Sequence, residues 1–188
     1  AKSHYSEALR INPRHPDVHN NLGVILFNQE KVDEAVVHYN EAIRIKPNHV
    51  RAIWNLGNAL LRQGKTEEAA AQYARILQIE PEDVEAHLNL GNIMVSQGKL
   101  NEAMPYFREA IRIQDNNVKA IIGLGAIMAT QGYVDEALAY YSKAIKISPA
   151  NAELHYDMGT ILASQKKLDE AMNHFREAIR IRPDYASA

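Results

Sequence analysis

Cysteine is absent from this 188-residue sequence, which removes a disulfide framework, a thiolate nucleophile and a cysteine-based zinc site, and leaves the compartment open. An excess of positive charge is missing too. The 21 Lys and Arg stand against 23 Asp and Glu, a formal net charge of −2, so there is no basic footprint and nucleic acid is not an expected partner. The longest apolar run, Ala120 to Ala129, is ten residues interrupted by glycines. A membrane-spanning helix needs about 20, so direct membrane insertion is not expected. The eight histidines come with no HExxH pattern, and His19, His87 and His155 fall in packing slots, so no metal is expected. Neither a nucleophile-base arrangement nor a glycine-rich phosphate loop in a strand-helix context is present. The chain reads as neither an enzyme nor the holder of a cofactor.

Glycine and proline are scarce but regular. Gly23, Gly57, Gly91, Gly125 and Gly159 recur every 34 residues, as do Ala35, Ala69, Ala103, Ala137 and Ala171 and the aromatics Tyr39, Tyr73, Phe107, Tyr141 and Phe175. The fullest copy runs from Val50 to Asp83. There Ile53, Leu56, Gly57 and Leu60 mark one face of a first helix, Gly64 a break, and Ala69, Tyr73 and Ile76 a face of a second helix ending before Pro81. A strict two-helix period of this length is the signature of a solenoid whose units cover one another.

In this pattern of Leu-Gly, a later Ala, an aromatic, Ala and Pro, the chain resembles the tetratricopeptide repeat (TPR) proteins. The expected units are Pro16 to His49, Val50 to Asp83, Val84 to Asn117, Val118 to Asn151 and Ala152 to Tyr185, followed by a tail over 186–188. Before them, residues 1–15 carry Tyr5, Ala8 and Pro13 of a second helix, Ser3 to Ile11, whose partner is missing. The opening AKSHYSEAL has no charged-then-apolar leader and falls inside a unit, which reads as a piece of a longer protein. The resemblance implies an all-α, right-handed superhelical solenoid of antiparallel helix pairs, about eleven helices in total.

The punctuation gives further expectations. Gln29, Gln63, Gln97, Gln131 and Gln165 close the first helices, with left-handed Gly64, Gly98 and Gly132 after them. Glu30 and Lys166 replace that glycine at a cost on the order of 1 kcal/mol each. Acidic or Asn-Glu pairs, from Asp33-Glu34 to Asp169-Glu170, are expected to cap the second helices. Pro105 is expected in about the first turn of its helix. Asp115 stands where other units have proline, so the QDNN junction is the expected place for bending, and Gly57 is expected to admit the partner helix at Ala69.

The residues that packing does not explain define a candidate peptide-binding face. One place beyond the family's usual tryptophan slot stand Asn20, Trp54, Leu88, Ile122 and Tyr156, about 100° further round each first helix and so turned to the concave side. Trp54, Leu88, Ile122 and Tyr156 form a column suited to anchoring side chains. Beside it run Asn21, Asn55 and Asn89, then Gly123 and Asp157. Asparagine is a mediocre helix former, yet its amide suits the backbone of an extended peptide. This column resembles the asparagine ladder of O-linked N-acetylglucosamine transferases, over three units. The same residues read structurally would bond only one another and water.

One turn on lie Asn58 and Asn92, with Val24, Ala126 and Thr160 in matching places, and Arg62 at the edge; Ile122, Ala126 and Ala129 make an apolar wall. Against the carboxylate clamp of chaperone-adaptor TPR proteins, Asn58, Asn89 and Lys119 match, while Trp54 and Gly123 replace two charged contacts. A chaperone-tail clamp is therefore not expected. The leading expectation is a protein-protein interaction scaffold holding an extended peptide. The alternatives are self-association through uncapped ends, leaving faces such as those of Phe175 and Ile179 partly open, and a substrate-selecting accessory array of a larger glycosyltransferase.

Overall fold

The computed structural model describes residue 5 and residues 10–184. Ten helices follow one another among the described residues: α1 Pro16–Asn28, α2 Val32–Ile45, α3 Val50–Arg62, α4 Thr66–Ile79, α5 Val84–Ser96, α6 Leu100–Ile113, α7 Val118–Thr130, α8 Val134–Ile147, α9 Ala152–Ser164 and α10 Leu168–Ile181. The fold is an all-α solenoid of antiparallel helix pairs. Of the helix expected over Ser3 to Ile11, Tyr5, Arg10 and Ile11 are helical; its other residues and those from 185 on lie outside the described residues. Packing divides the chain into two compact units, Ala1–Ile93 and Met94–Ala188.

Each first helix ends in the same way. In α3, which ends at Arg62, Gln63 is the C-cap, Gly64 follows at φ 73°, the Gly64 N–H donates to the Leu61 carbonyl at 3.0 Å and the Lys65 N–H to that of Leu60 at 2.9 Å. This is a Schellman closure, satisfying carbonyls that the helix leaves unpaired. Glu30 and Lys166 adopt the same left-handed backbone, at φ 61° and 63°. Their side chains bear the strain that glycine avoids.

The second helices start differently from expectation. They begin at Val32, Thr66, Leu100, Val134 and Leu168, so the acidic pairs lie inside the first turn and the cap position falls on Lys31, Lys65, Lys99, Tyr133 and Lys167, none with a side-chain cap bond. One residue both completes the Schellman closure and opens the next helix, so there is no room for a separate capping side chain. The acids act on the helix dipole instead. Asp33 also accepts from the Gln63 side chain at 2.6 Å.

Capping occurs at the first helices. His49 Nδ1, Asp83 Oδ1, Asn117 Oδ1 and Asn151 Oδ1 accept from the N–H three residues on, at 3.4, 2.8, 3.0 and 3.1 Å. The QDNN junction uses this device. The Asn117 N–H donates to the Gln114 carbonyl at 2.9 Å, just as His49 donates to Lys46 at 3.0 Å beside Pro47. The turn at Asp115 thus closes without proline. Pro105 is the sixth residue of α6, a turn deeper than expected, where its missing N–H removes an interior helix bond.

The helical glycines serve an aromatic ring. A Cβ on Gly57 would lie 2.9 Å from Tyr73 Cε1, so the ring, one turn beyond Ala69, occupies the space that Ala69 was expected to fill. Ala69 and Tyr73 are both fully buried. Burial pushes the Tyr39, Tyr73 and Tyr141 hydroxyls up to about 12, because the phenolate would lose its hydration.

Candidate peptide-binding faces

In the first unit, neighbouring first helices α1 and α3 bring the expected amides together. Asn55 Nδ2 donates to Asn20 Oδ1 at 2.8 Å, and Asn20 Nδ2 donates to Asn21 Oδ1 at 3.3 Å. Asn20 is buried, while Asn21 is exposed and Asn55 half-buried. Asn89 is half-buried, and its Nδ2 donates to the Glu85 carbonyl of its own helix at 2.8 Å. Each of Asn55 and Asn89 uses one amide hydrogen in this way; a primary amide carries two, plus a carbonyl oxygen.

Trp54 is half-buried. Its ring packs edge-on against Tyr73 with centroids 5.1 Å apart, and Nε1 donates to Asp83 Oδ2 at 3.1 Å, the carboxylate whose other oxygen caps α5. Trp54 therefore links the second helix of its own repeat to the start of the next. It also borders a cavity of about 500 Å³ with Asp17, Lys46, His49, Arg51 and Glu80, where His49 Nε2 lies 3.2 Å from Asp17 Oδ1. Leu88 is 2% exposed and so belongs to the core, correcting its expected place among the anchoring side chains. Ala86, His87, Leu88, Leu90, Gly91 and Ile93 of α5 are all buried, an inward stripe wide enough to include Leu88.

Asn58 is exposed and accepts from the Tyr73 hydroxyl at 2.7 Å. Arg62 pairs with Glu30 at 2.6 Å, its guanidinium 5.6 Å from the Phe27 ring centroid. Asn92 is exposed.

The second unit presents a different face. Lys119 is exposed, Ile122 is half-buried against the cluster of Ile121, Tyr141, Ala144, Leu154 and Met158, and Tyr156 is half-buried with its ring 5.7 Å from that of Phe175. Gly123 interrupts the asparagine column for a steric reason: a Cβ there would lie 2.8 Å from Phe107 Cζ. Asp157, next in the column, is half-buried, and desolvation, followed by the charge of Glu153, raises its carboxyl above the usual range.

Histidine takes buried structural places. His19, His87 and His155 are buried, with Nε2 at 3.1, 2.9 and 3.2 Å from the carbonyls of Pro13, Pro81 and Pro149. His19 and His155 also place Nδ1 at 3.0 Å from Nδ1 of His38 and His174. Nε2 must donate to the carbonyl, so the buried Nδ1 accepts and the partner donates. Among the described residues no group of three or more His, Cys, Asp or Glu is placed to hold a metal ion.

Sequence reasoning missed two features: the capping column of His49, Asp83, Asn117 and Asn151, and the Asn20 bond beneath the amide column. The first was readable as Asp or Asn just before an apolar-periodic helix.

Family models described as tetratricopeptide repeat match residues 4–37, 55–118 and 128–188, and one described as TPR repeat matches 25–64. No match was found among curated proteins. Among solved structures, the chain is similar to YrrB, a TPR protein with an unusual peptide-binding site, at 22% identity and TM-score 0.80, covering 99% of this chain and 96% of that one. It is also similar to MamA from Desulfovibrio magneticus RS-1, at 16% identity and TM-score 0.82, covering 90% and 96%. A tetratricopeptide repeat protein from Parabacteroides merdae matches at 22% identity and TM-score 0.81, covering 96% and 72%. At these identities the likeness is one of fold.

Proposed function

The chain belongs to the tetratricopeptide repeat family, and from that premise we propose that it binds an extended peptide across the amides of its first helices. The repeat fold is a scaffold for protein-protein interaction; the amide column is the finer part of the proposal. The observation that carries it is the Asn55–Asn20–Asn21 cluster with Asn89: buried Asn20 makes two bonds, while Asn21, Asn55 and Asn89 are each held by one and retain hydrogen-bonding capacity at exposed or half-buried places. Preorganised side chains lose little entropy on binding. Asn21, Asn55 and Asn89 would take the peptide backbone. Trp54, Asn58, Asn92 and Arg62 would border it, and Lys119, Ile122 and Tyr156 would offer contacts on the second unit. That the solved relative YrrB has a peptide-binding site supports this reading. The five repeats are proposed with the boundaries given above.

The experiment is selection of a diverse library of unstructured peptides on the protein and on an Asn21→Ala, Asn55→Ala, Asn89→Ala variant with native helix content. Enrichment on the native chain that disappears on the variant supports the reading. Equal enrichment on both removes the amides from it.

A second reading has its own observation. On α10, Leu168, Met172 and Ile179 are 62%, 46% and 43% exposed, whereas the residues 34 positions earlier, Val134, Leu138 and Ile145, are half-buried. Such a face favours self-association. Light scattering over a hundredfold concentration range tests it, and a constant monomer mass would exclude it.

A further inference from the structure

The second unit holds a pocket whose chemistry neither the amides nor the fold accounts for. It has a volume of about 220 Å³ and is lined by Ala126, Ala129 and Thr130 of α7, Tyr141 of α8, and Asp157, Thr160 and Ile161 of α9. At the matching place in the first unit, Asn58 accepts from the Tyr73 hydroxyl at 2.7 Å. Ala126 stands where Asn58 does, two repeats later, and is too short to reach Tyr141. The amide that meets the tyrosine in the first unit is absent from this pocket.

The polar groups facing it make the pocket selective. Thr130 Oγ1 donates to the Ala126 carbonyl at 2.8 Å and Thr160 Oγ1 to the Tyr156 carbonyl at 3.0 Å, so both hydroxyl hydrogens are spent within their own helices. The remaining polar groups of the lining are the Tyr141 hydroxyl, which can accept as well as donate, and the Asp157 carboxylate, which accepts. None of the ion pairs among the described residues involves Asp157. Glu153, one turn earlier on α9, adds charge of the same sign. Ala126, Ala129 and Ile161 supply an apolar wall. A liquid water takes about 30 Å³, so the space equals roughly seven waters, room for one extended side chain.

We infer that this pocket binds a basic side chain, lysine or arginine, of a partner peptide, with the aliphatic stem on Ala126, Ala129 and Ile161 and the cationic head on Asp157. This rests on the peptide-scaffold reading for the source of the side chain, not for the pocket's cation preference. A half-desolvated carboxylate without a counter-ion gains from a donor cation what a neutral group cannot return. Burial and the two nearby carboxylates raise the Tyr141 hydroxyl to about 12, which keeps it protonated beside the ligand.

The test separates the two readings. With alanine methyls labelled, n-butylguanidinium is titrated into the intact protein while the Ala126 and Ala129 signals are followed by NMR, n-butylurea serving as the neutral control. Saturable shifts are expected with the cation alone, weakened at least about tenfold in Asp157→Asn, as a charged hydrogen bond of this kind implies. Circular dichroism confirms the fold of that variant, and Ala126→Asn, which refills the pocket without touching the carboxylate, is expected to abolish the shifts. No shift, or equal affinity in Asp157→Asn, overturns the inference. In the second arm, peptides selected on the intact protein are expected to carry Lys or Arg, and its replacement by norleucine to cost at least about tenfold on the native chain and nothing on Asp157→Asn. Peptides without such a residue overturn the inference while leaving the scaffold intact. Cation binding without any selected peptide overturns the scaffold and upholds the pocket.

Discussion

Two tyrosines at the same place in the repeat, Tyr73 and Tyr141, are both buried, yet only Tyr73 has its hydroxyl held by an asparagine. Where Asn58 meets Tyr73, the surface is polar and rich in amides; where Ala126 stands near Tyr141, a pocket has apolar walls and an acidic residue. The ring is retained in both because the helical glycine needs it as a packing partner. The hydroxyl's environment varies, and that is where the two units acquire different chemistry. A repeat fold can thus hold its core constant and vary its ligand surface one helix position at a time.

The largest expected effect concerns the ring itself. Tyr73→Ala and Tyr141→Ala should each lower unfolding stability by about 3 to 5 kcal/mol in urea melts, through the cavity each leaves. A much smaller loss at Tyr141 alone would break the equivalence of the two sites. Next is Gly123→Asn, which restores the asparagine column at the level of sequence but presses a Cβ on Phe107. It should cost about 1 to 3 kcal/mol, and a variant as stable as the native chain would show that sterics do not explain the gap.

Removing only the hydroxyl sharpens the comparison. Tyr73→Phe should cost about 1 kcal/mol for the lost bond to Asn58, whereas Tyr141→Phe should be close to neutral. Equal costs would mean that Tyr141 has an equivalent partner. The smallest effects are at the left-handed residues. Lys166→Gly should stabilise by about 1 kcal/mol, and Glu30→Gly by less, since Glu30 also forms an exposed pair with Arg62.

Titration gives a signed prediction. Desolvation, then the neighbouring His155 charge, lowers the His174 pKa below 6.5, against an opposing effect of Glu170. The unfolded chain therefore binds more protons than the folded one just below that value, so stability falls as pH drops through 6.5 toward the depressed folded pKa. Melting temperatures should decline over that window, and His174→Gln should shrink the decline. Asp157 has the opposite sign. Its raised carboxyl is most compatible with folding below the ordinary carboxylate pKa, and stability is lost as pH rises through the folded value, so Asp157→Asn should raise stability at pH 7.

The fold was legible because the 34-residue period records packing directly: a Cβ on Gly23, Gly57, Gly125 or Gly159 would meet the ring of Tyr39, Tyr73, Tyr141 or Phe175 in turn. Helix starts were less legible. Asp33-Glu34 has the composition of a cap, but the residue before Val32 already completes the preceding closure, and sequence does not reveal that one residue serves both helices. The candidate face was legible as residue types and not as partners. Asn55 stood out as a poor helix former; that Asn20 anchors it depends on the spacing of α1 and α3. Leu88 was misplaced because its angular position lies at the margin between the core stripe and the open face.

If the amides receive a peptide backbone, methylating that backbone removes the N–H groups they would meet. For a selected peptide, each amide nitrogen is methylated in turn and affinity is measured on the native protein and on Asn55→Ala. Losses of about tenfold or more are expected at a few positions, with the loss at one of them absent in the variant. Methylated peptides that bind as tightly as the parent at every position would contradict a backbone-binding role for the amides.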